Sequence, residues 1–346
     1  MYEVIIVGGG QAGLAAAYYL KRHGINFLIL DSSANVGDPW RNRYDSLQLF
    51  TPRMYDQLPG FRLEGDPHGL PHKDEIADYL QQYAMHYEFP IAHNTRVLSL
   101  QRREGPFKLS TTNGEYMANK VIVATGPFQT PFVPPIQEAV GKNVKQLHSS
   151  EYRNERQLNE GAVLVVGAGN SGAQIACELA ERREVHLSAS GAIHYKPLHL
   201  LGKSIFWYYN AAGLLTAPRT SARGRWLFRQ PEQIYGNTLK PLIGQGRIKL
   251  HGRTVDIEGD QAYFAGEDSP VRIGNIVWST GFCRDDAWID IKEAFRADGA
   301  LAHEEGASAV PGLYFVGLPW QTSRGSALLG WVKYDAERIV RHALGQ

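Results

Sequence analysis

Gly8, Gly10 and Gly13 stand in GxGxxG spacing, with Gln11 and Ala12 between the last two, directly after the apolar run "EVIIV" and before "LAAAYYLKRHG". Such a run reads as a buried strand, and the segment beyond the glycines as a helix. Gly8 permits the tight turn, Gly10 lets a pyrophosphate approach the backbone, and Gly13 lets helix pack closely on strand. The helix N-terminus then offers free N–H groups and a partial positive charge to phosphate. Asp31, 18 positions beyond Gly13, closes the next strand, "NFLILD". A carboxylate there accepts hydrogen bonds from ribose hydroxyls.

The pattern recurs 159 residues later in "VLVVGAGNSGAQIACEL", with Gly167, Gly169 and Gly172 as the glycines and Asn170 and Ser171 opening the helix. The position equivalent to Asp31 is Ser190. A small hydroxyl there does not repel a 2′-phosphate, so NADPH is admitted as well as NADH; Lys196, Arg182 and Arg183 are the nearest cations. Two dinucleotide turns in one chain imply hydride passing from a nicotinamide to a second nucleotide cofactor, usually FAD. The turn with the ribose acid is then the FAD site and the other the NADPH or NADH site.

The elements that must position these turns read as an α/β fold. Apolar strands ending in Thr-Gly flank the second unit: "VIVATG", with Ala124, Thr125 and Gly126, and "NIVWSTGF", with Thr280 and Gly281. They mark where the backbone leaves the first domain and returns to it, and the proline-rich "GPFQTPFVPPI" after the first reads as a linker. The expected architecture is two Rossmann-like dinucleotide-binding domains, with the nicotinamide domain (156–278) inserted into a discontinuous FAD domain (1–155 and 279–346). The C-terminal "SALLGWVKYDAERIVRHAL" has apolar residues at helical spacing.

Composition narrows the function classes. The 346 residues are 43% hydrophobic and 21% charged, with a formal net charge of +1, which gives no pull toward nucleic acid or an anionic membrane. Cys177 and Cys283 lie far apart and in no CxxC or metal-type spacing, so a reducing cytoplasm is expected and a dithiol reductase is not. The N-terminal apolar stretch lacks the basic start of a signal peptide, and no transmembrane helix is predicted.

Beyond the two turns, "GDPWRNRYDSLQLFTP", "LPHKDEIADYLQQYA", "VIVATGPFQTP" and "QLHSSEYRN" follow in an order that resembles the flavin-containing monooxygenases, the class B flavoprotein monooxygenases. The C-terminal "GLYFVGLPWQTSRGSALLG" is most similar to their small bacterial branch, whose members are sometimes described as accessories of cation-efflux systems. The resemblance covers nearly the whole chain. It implies that NAD(P)H reduces FAD, that O2 adds to give a flavin C4a-hydroperoxide, and that one oxygen passes to a small soft nucleophile such as a sulfide or amine. It also implies a possible homodimer. It places Trp40 and Arg41 in the flavin loop, Gln48, Leu49 and Thr51 beside the isoalloxazine, and Val97 near the adenine. Ala124, Thr125 and Gly126 would meet FAD through backbone, and Ser326 and Leu328 the flavin ring edge.

The sequence also departs from the family pattern. Of the fingerprint FxGxxxHxxx(Y/W), His148 and Tyr152 fit, whereas Lys142 and Val144 occupy the Phe and Gly positions. Pro52 stands where many members place an Asn beside the flavin, which opens a second expectation, an NAD(P)H oxidase or flavin reductase that releases peroxide. A third is a redox-responsive accessory of an efflux system. His148 is either a nicotinamide-positioning group or a linker histidine. His68 and His72 lie in a proline-containing loop without partner ligands, so no metal site is expected. The aromatic "IFWYYNAAGLL" reads as core, as the roof of an apolar substrate channel or as a dimer contact.

Overall fold

The structure, a computed structural model, describes residues 1–102 and 104–346. Strand β1 (Tyr2–Val7) buries Val4, Ile5 and Ile6 completely, and α1 (Gln11–Arg22) follows it. Helix α1 turns Ala12, Leu14 to Ala17 and Leu20 inward and carries Lys21 and Arg22 in its last turn, where they complement the helix dipole. Strand β2 (Phe27–Leu30) pairs parallel with β1; a long loop and α2 (Lys73–His86) then lead to β3 (Ile91–Ala92), parallel to β2. The antiparallel pair β4 (Val97–Gln101) and β5 (Phe107–Thr111) runs into β6 (Gly114–Val123). The first half of β6 pairs antiparallel with β5, and its second half lies parallel to β1.

The chain then crosses over through β7 (Thr130–Pro131). The second unit comprises β8 (Lys145–His148), β9 (Val163–Val166), α3 (Asn170–Leu179), β10 (Val185–Ser188), β11 (His194–Lys196), α4 (Ile205–Ala211), α5 (Ala222–Phe228), β12 (Gln233–Tyr235), β13 (Ile248–His251) and β14 (Asn275–Trp278). Five of these strands form one parallel sheet in the order β13-β10-β9-β14-β8. Strand β15 (Phe282–Cys283) brings the chain back, β16 (Leu313–Phe315) joins β6 in parallel, and α6 (Val332–Ala343) packs on α1. The first sheet thereby reaches ten strands. Outgoing and returning crossovers are zipped together, because β7 and β15 pair antiparallel with Pro131 opposite Phe282.

One boundary differs from the sequence reading. Strand β8 ends at His148, ahead of position 156, yet it is an edge strand of the second sheet, with Lys145 to His148 opposite Asn275 to Trp278. Val144 packs with Leu164, Ile276 and Trp278 in the same core. The second unit therefore starts earlier than 156; the pairing partner lies far along the chain and leaves no local mark in the sequence.

The two units interlock through side chains. Tyr44, on the loop after β2, is 1% exposed within the core formed by Val163, Ala173 and Ile175 of the second unit. Its hydroxyl donates to Gln174 Oε1 at 3.1 Å, and burial pushes its pKa up to about 12. Tyr152, fully buried, donates to Glu178 Oε1 at 2.9 Å, and Ser46 donates to the same carboxylate. Gln174 Nε2 in turn donates to the Gln48 carbonyl at 3.0 Å. Tyr44→Ala removes a buried ring from the joint, so a loss of about 3–5 kcal/mol is expected. Chemical denaturation of the two proteins side by side measures it, and a variant within about 1 kcal/mol of the parent would mean that Tyr44 does not join the units.

Candidate functional site

Three helices here, α2, α4 and α5, are capped by their own side chains; α1 and α3 are not. Helix α2 has a full capping box, with the His72 side chain and Glu75 answering each other's backbone, and Asp74 beside them. Helix α1 starts at Gly10 and α3 at Gly169 with no side-chain cap and no acidic residue in the first turn. Their first N–H groups are left for an external anion.

The glycines divide the labour as the spacing requires. A Cβ on Gly13 would stand 1.9 Å from the Gly8 carbonyl oxygen, and one on Gly172 at 1.9 Å from that of Gly167. Gly8 and Gly167 adopt φ of +107° and +103°, a left-handed region that disfavours side chains. A Cβ on Gly10 meets nothing within 4 Å, and one on Gly169 meets only Glu232 Oε1, at 3.8 Å. Both middle glycines thus face open space in front of an uncapped helix, the cradle a pyrophosphate needs. Asp31 accepts the Gly9 N–H at one carboxylate oxygen and the Ser33 N–H at the other, which fixes the carboxylate beside the first turn with lone pairs to spare for a ribose. These groups fit a dinucleotide at each turn. At the second, Ser190 is exposed just past β10.

Other predicted residues fall into two groups. Thr125, Gly126, Thr280 and Gly281 meet at the crossovers: Gln129 Nε2 donates to Thr125 Oγ1 (3.0 Å) and to the Gly126 carbonyl (2.9 Å), and Thr280 donates to the Phe132 carbonyl. Gln129 also accepts the Asp285 N–H at 2.8 Å, so one side chain ties both crossovers together, a contact that its place in VIVATGPFQTP does not announce. Ala124 packs under Gly8. Val97 lies two positions beyond Thr95, whose N–H donates to the Asp31 carbonyl at 2.7 Å. Ser171 lies near the Tyr44 hydroxyl and opposes the rise that burial imposes on it.

The second group has side chains committed to the protein. The Arg41 guanidinium binds the Val36 carbonyl (2.8 Å), Asp78 (2.7 Å) and Gln81 (2.7 Å), a tether from the loop to α2, while Trp40 packs on the first core. The Gln48 amide donates to the Leu70 carbonyl and the Leu49 N–H to that of Pro71. Thr51 donates to the buried Asp56, whose carboxyl burial pushes up to about 8. Ser326 Oγ accepts from the Thr322 and Ser323 N–H groups at 3.0 and 3.1 Å. Lys196 directs its ammonium over the Tyr209 ring, 5.9 Å from the centroid, instead of standing beside Ser190. His72 caps α2, and among the described residues no group of metal-ligating side chains forms.

Between the two turns lies an aromatic cavity of about 20 Å³, walled by Phe50 and Leu328 from the first unit and Phe206, Tyr209, Leu215, Leu227 and Tyr235 from the second. A volume of that order holds about one water. Phe50 stacks on Tyr235 and Phe206, with centroids 4.7 and 5.7 Å away. Both turns reach this wall. Gln11 Nε2 donates to the Ala327 carbonyl at 3.0 Å, and Asn170 clamps β12 by donating to the Gln233 carbonyl and accepting the Tyr235 N–H, each at 3.0 Å. The stretch "IFWYYNAAGLL" is therefore both core and roof: Ile205, Phe206 and Leu215 are buried in it, while Trp207 is 38% exposed.

His148 is a clasp of the crossovers. Its Nε2 lies 3.0 Å from the Gly281 carbonyl, so that nitrogen carries the proton, and Nδ1 accepts from the Ser150 N–H (3.2 Å) and hydroxyl (2.8 Å). Burial, opposed by the Gly281 carbonyl, holds it below the ordinary imidazole value. Both nitrogens are occupied by protein.

A family model described as pyridine nucleotide-disulphide oxidoreductase matches residues 5–197, which span both glycine turns. The chain belongs to the pyridine nucleotide-disulphide oxidoreductase family. A family relative from Geobacillus kaustophilus (strain HTA426), named uncharacterized oxidoreductase CzcO-like, is 51% identical over 342 residues, covering 99% of this chain and 98% of the relative. The solved flavin-containing monooxygenase from Stenotrophomonas maltophilia superposes with a TM-score of 0.81 at 25% identity, covering 99% of this chain and 98% of that one. The bacillithiol disulfide reductase Bdr from Staphylococcus aureus shares the fold, with a TM-score of 0.74 at 17% identity over 99% and 98% of the two chains. This family member is an FAD- and pyridine-nucleotide-dependent oxidoreductase with a flavin-monooxygenase fold. Its own cysteines form no dithiol: both are free, and burial pushes the Cys177 thiol up to about 11. No helix among the described residues is long and apolar enough to cross a membrane.

Two expectations follow from this geometry. Gly10→Ala and Gly169→Ala fold normally, because the added methyl meets no backbone, but each fills one cradle. Gly10→Ala purifies with less than about a tenth of the parent's flavin, while Gly169→Ala keeps its flavin and loses nicotinamide affinity. Normal binding of both cofactors in both variants would contradict the assignment. The second concerns pH. His148 titrates near ~6.5 when unfolded and lower when folded, so its contribution to stability is complete above about pH 6.5 and is lost as pH falls below that through the lower folded value. His148→Gln should flatten the fall in melting temperature between about pH 7.5 and 5.5; an unchanged slope would refute the clasp.

Proposed function

We propose that this protein is an NAD(P)H-dependent FAD monooxygenase that oxygenates small soft nucleophiles, sulfides or amines, beside the aromatic cavity that both its units wall. The observation that carries this reading is the position of that cavity, walled by both units and tied by Gln11 to one uncapped helix and by Asn170 to the other. When bound, the flavin supplies the redox chemistry, taking hydride from the nicotinamide and activating O2. The chain's residues align and dry the site. Phe50, Phe206, Tyr209 and Tyr235 exclude water, which otherwise competes with the substrate for activated oxygen. Gln129, His148 and Tyr44 hold the two units in one register, so that donor and acceptor rings meet at a fixed separation.

Nicotinamide preference follows from the end of β10. Ser190 puts no carboxylate there, and Arg253 is exposed on the neighbouring turn, where Thr254 N–H donates to Ser188 Oγ at 2.9 Å. A cation beside a neutral ribose-binding residue suits the 2′-phosphate of NADPH.

One observation favours peroxide release as a second reading. Pro52 has no N–H, and the hydroxyl of Thr51 is spent on Asp56, so this loop would offer a bound flavin no side-chain donor at either position. Following NADPH and NADH consumption with a methyl aryl sulfide, while counting sulfoxide and hydrogen peroxide, decides between them. The proposal expects sulfoxide to account for most of the NADPH consumed, and NADPH to outperform NADH. Peroxide equal to the nicotinamide consumed, with no sulfoxide, would establish the oxidase reading instead.

A further inference from the structure

The chain's net charge of +1 averages over a sharp local imbalance. From Val185 to Pro231 there is no Asp or Glu, although the whole sequence holds 35, and six cations stand in that run: Lys196, Lys203, Arg219, Arg223, Arg225 and Arg229. The last five are exposed. Charged heads here meet rings and carbonyls. Lys203 lies 3.6 Å from the centroid of Trp207 and Arg219 4.1 Å from that of Phe228, while Arg223 donates to the Ala212 carbonyl at 2.8 Å and Arg225 to that of Thr220. The weak pull toward an anionic surface expected of the whole chain does not extend to this segment.

The same segment exposes large apolar side chains. Leu201 stands at the turn of a short hairpin, in which His199–Leu200 pairs with Lys203–Ser204. It is 87% exposed at a φ of +47°, a left-handed region that a leucine occupies only at a cost. Leu200 beside it, Trp207 on α4, and Trp226 and Phe228 on α5 are exposed as well. These elements are joined. The Tyr208 hydroxyl donates to the Leu200 carbonyl at 3.0 Å, which ties the hairpin to α4, and the bond from Arg223 to Ala212 ties α5 to the C-terminal end of α4. The inward sides of both helices supply Phe206, Tyr209 and Leu227 to the aromatic cavity, which leaves Trp207 and Trp226 on the outward side.

We propose that this face docks on an anionic lipid surface, with Leu200, Leu201, Trp207 and Trp226 seated at the boundary of headgroups and acyl chains and the exposed cations among the headgroup phosphates. Tryptophan interleaved with Lys and Arg suits that boundary: indole is apolar with a single N–H, and long basic stems lie along apolar surface while their heads reach out. The apolar groups project from a hairpin turn and from helix surfaces, and a fluid surface receives a projection without a complementary pocket. Nucleic acid would neutralise the cations but offers aliphatic side chains no apolar medium. Among the described residues no helix is long and apolar enough to cross a membrane, so the contact is one of lying on the surface. Such docking is independent of the reaction carried out beneath it.

Sedimentation of the flavin-loaded protein with vesicles of phosphatidylcholine alone, or of phosphatidylcholine with about 30% phosphatidylglycerol, tests this. Anionic vesicles should bind at least about tenfold more tightly than neutral ones, and raising NaCl from about 0.1 to about 0.5 M should remove most of that preference. Leu201→Ser/Trp226→Ser should weaken binding to anionic vesicles at least about fivefold, since these side chains enter the boundary. Arg225→Gln/Arg229→Gln should do the same, whereas Arg156→Gln/Arg272→Gln, which removes equal charge from exposed positions elsewhere, should leave it within about twofold. Flavin content and melting temperature, recorded for each variant, should match the parent, because every one of these side chains is exposed. Equal affinity for neutral and anionic vesicles, a loss as large in the Arg156→Gln/Arg272→Gln control, or full binding by Leu201→Ser/Trp226→Ser would overturn the proposal. So would no binding to either vesicle, whether the face then proves to pair two copies in sedimentation velocity or to retain a single-stranded oligonucleotide.

Discussion

Two helices in this protein begin at an uncapped glycine with no acid in the first turn, and the rest of the site is arranged around that fact. Helices α1 and α3 have glycine at the N-cap and no acid in the first turn, in contrast to α2 with its reciprocal His72–Glu75 cap. A bare helix start leaves N–H groups that an anion can satisfy, so these ends suit a phosphate. The close packing that keeps them there tolerates no methyl group at Gly13 or Gly172, where backbone oxygen lies 1.9 Å from the required atom. Sequence, local geometry and ligand chemistry meet at those two positions.

Function then depends on bringing the two ends to one cavity. The chain does this with polar contacts at the crossovers and aromatic contacts at the cavity. Gln129 and His148 bind carbonyls of Gly126 and Gly281, the glycines at which the backbone leaves and returns. Tyr44 inserts into the second core, and Phe50, three residues before the short turn Arg53–Tyr55, stacks on Tyr235. One loop of the first unit, Tyr44 to Thr51, therefore docks the units and builds the cavity wall. A change that loosens it alters the separation of the two cofactors as well as stability.

Much of this was legible in the residues. The two glycine patterns and Asp31 are local signals, since a strand, a turn and a helix start are each fixed by neighbours in sequence. The start of the second unit was not, because β8 is defined by a partner strand about 130 residues away. Arg41 illustrates a different blindness: its motif is recognisable, but only the fold reveals that Asp78 and Gln81 occupy its guanidinium. For His148 the sequence left two roles open, and the Gly281 carbonyl on one nitrogen with Ser150 on the other favours the structural one. Gln129 lies within the quoted VIVATGPFQTP, yet only the fold reveals that its side chain joins the two crossovers.

The central claim is that electrons delivered at the second turn reach a flavin held at the first. Anaerobic titration of the purified protein with NADPH, followed at the flavin absorbance band, tests it most directly. A yellow protein bleached completely by about one equivalent of NADPH is expected, since one hydride reduces one flavin. A colourless protein, or a yellow one that NADPH and NADH both leave oxidised, would contradict it.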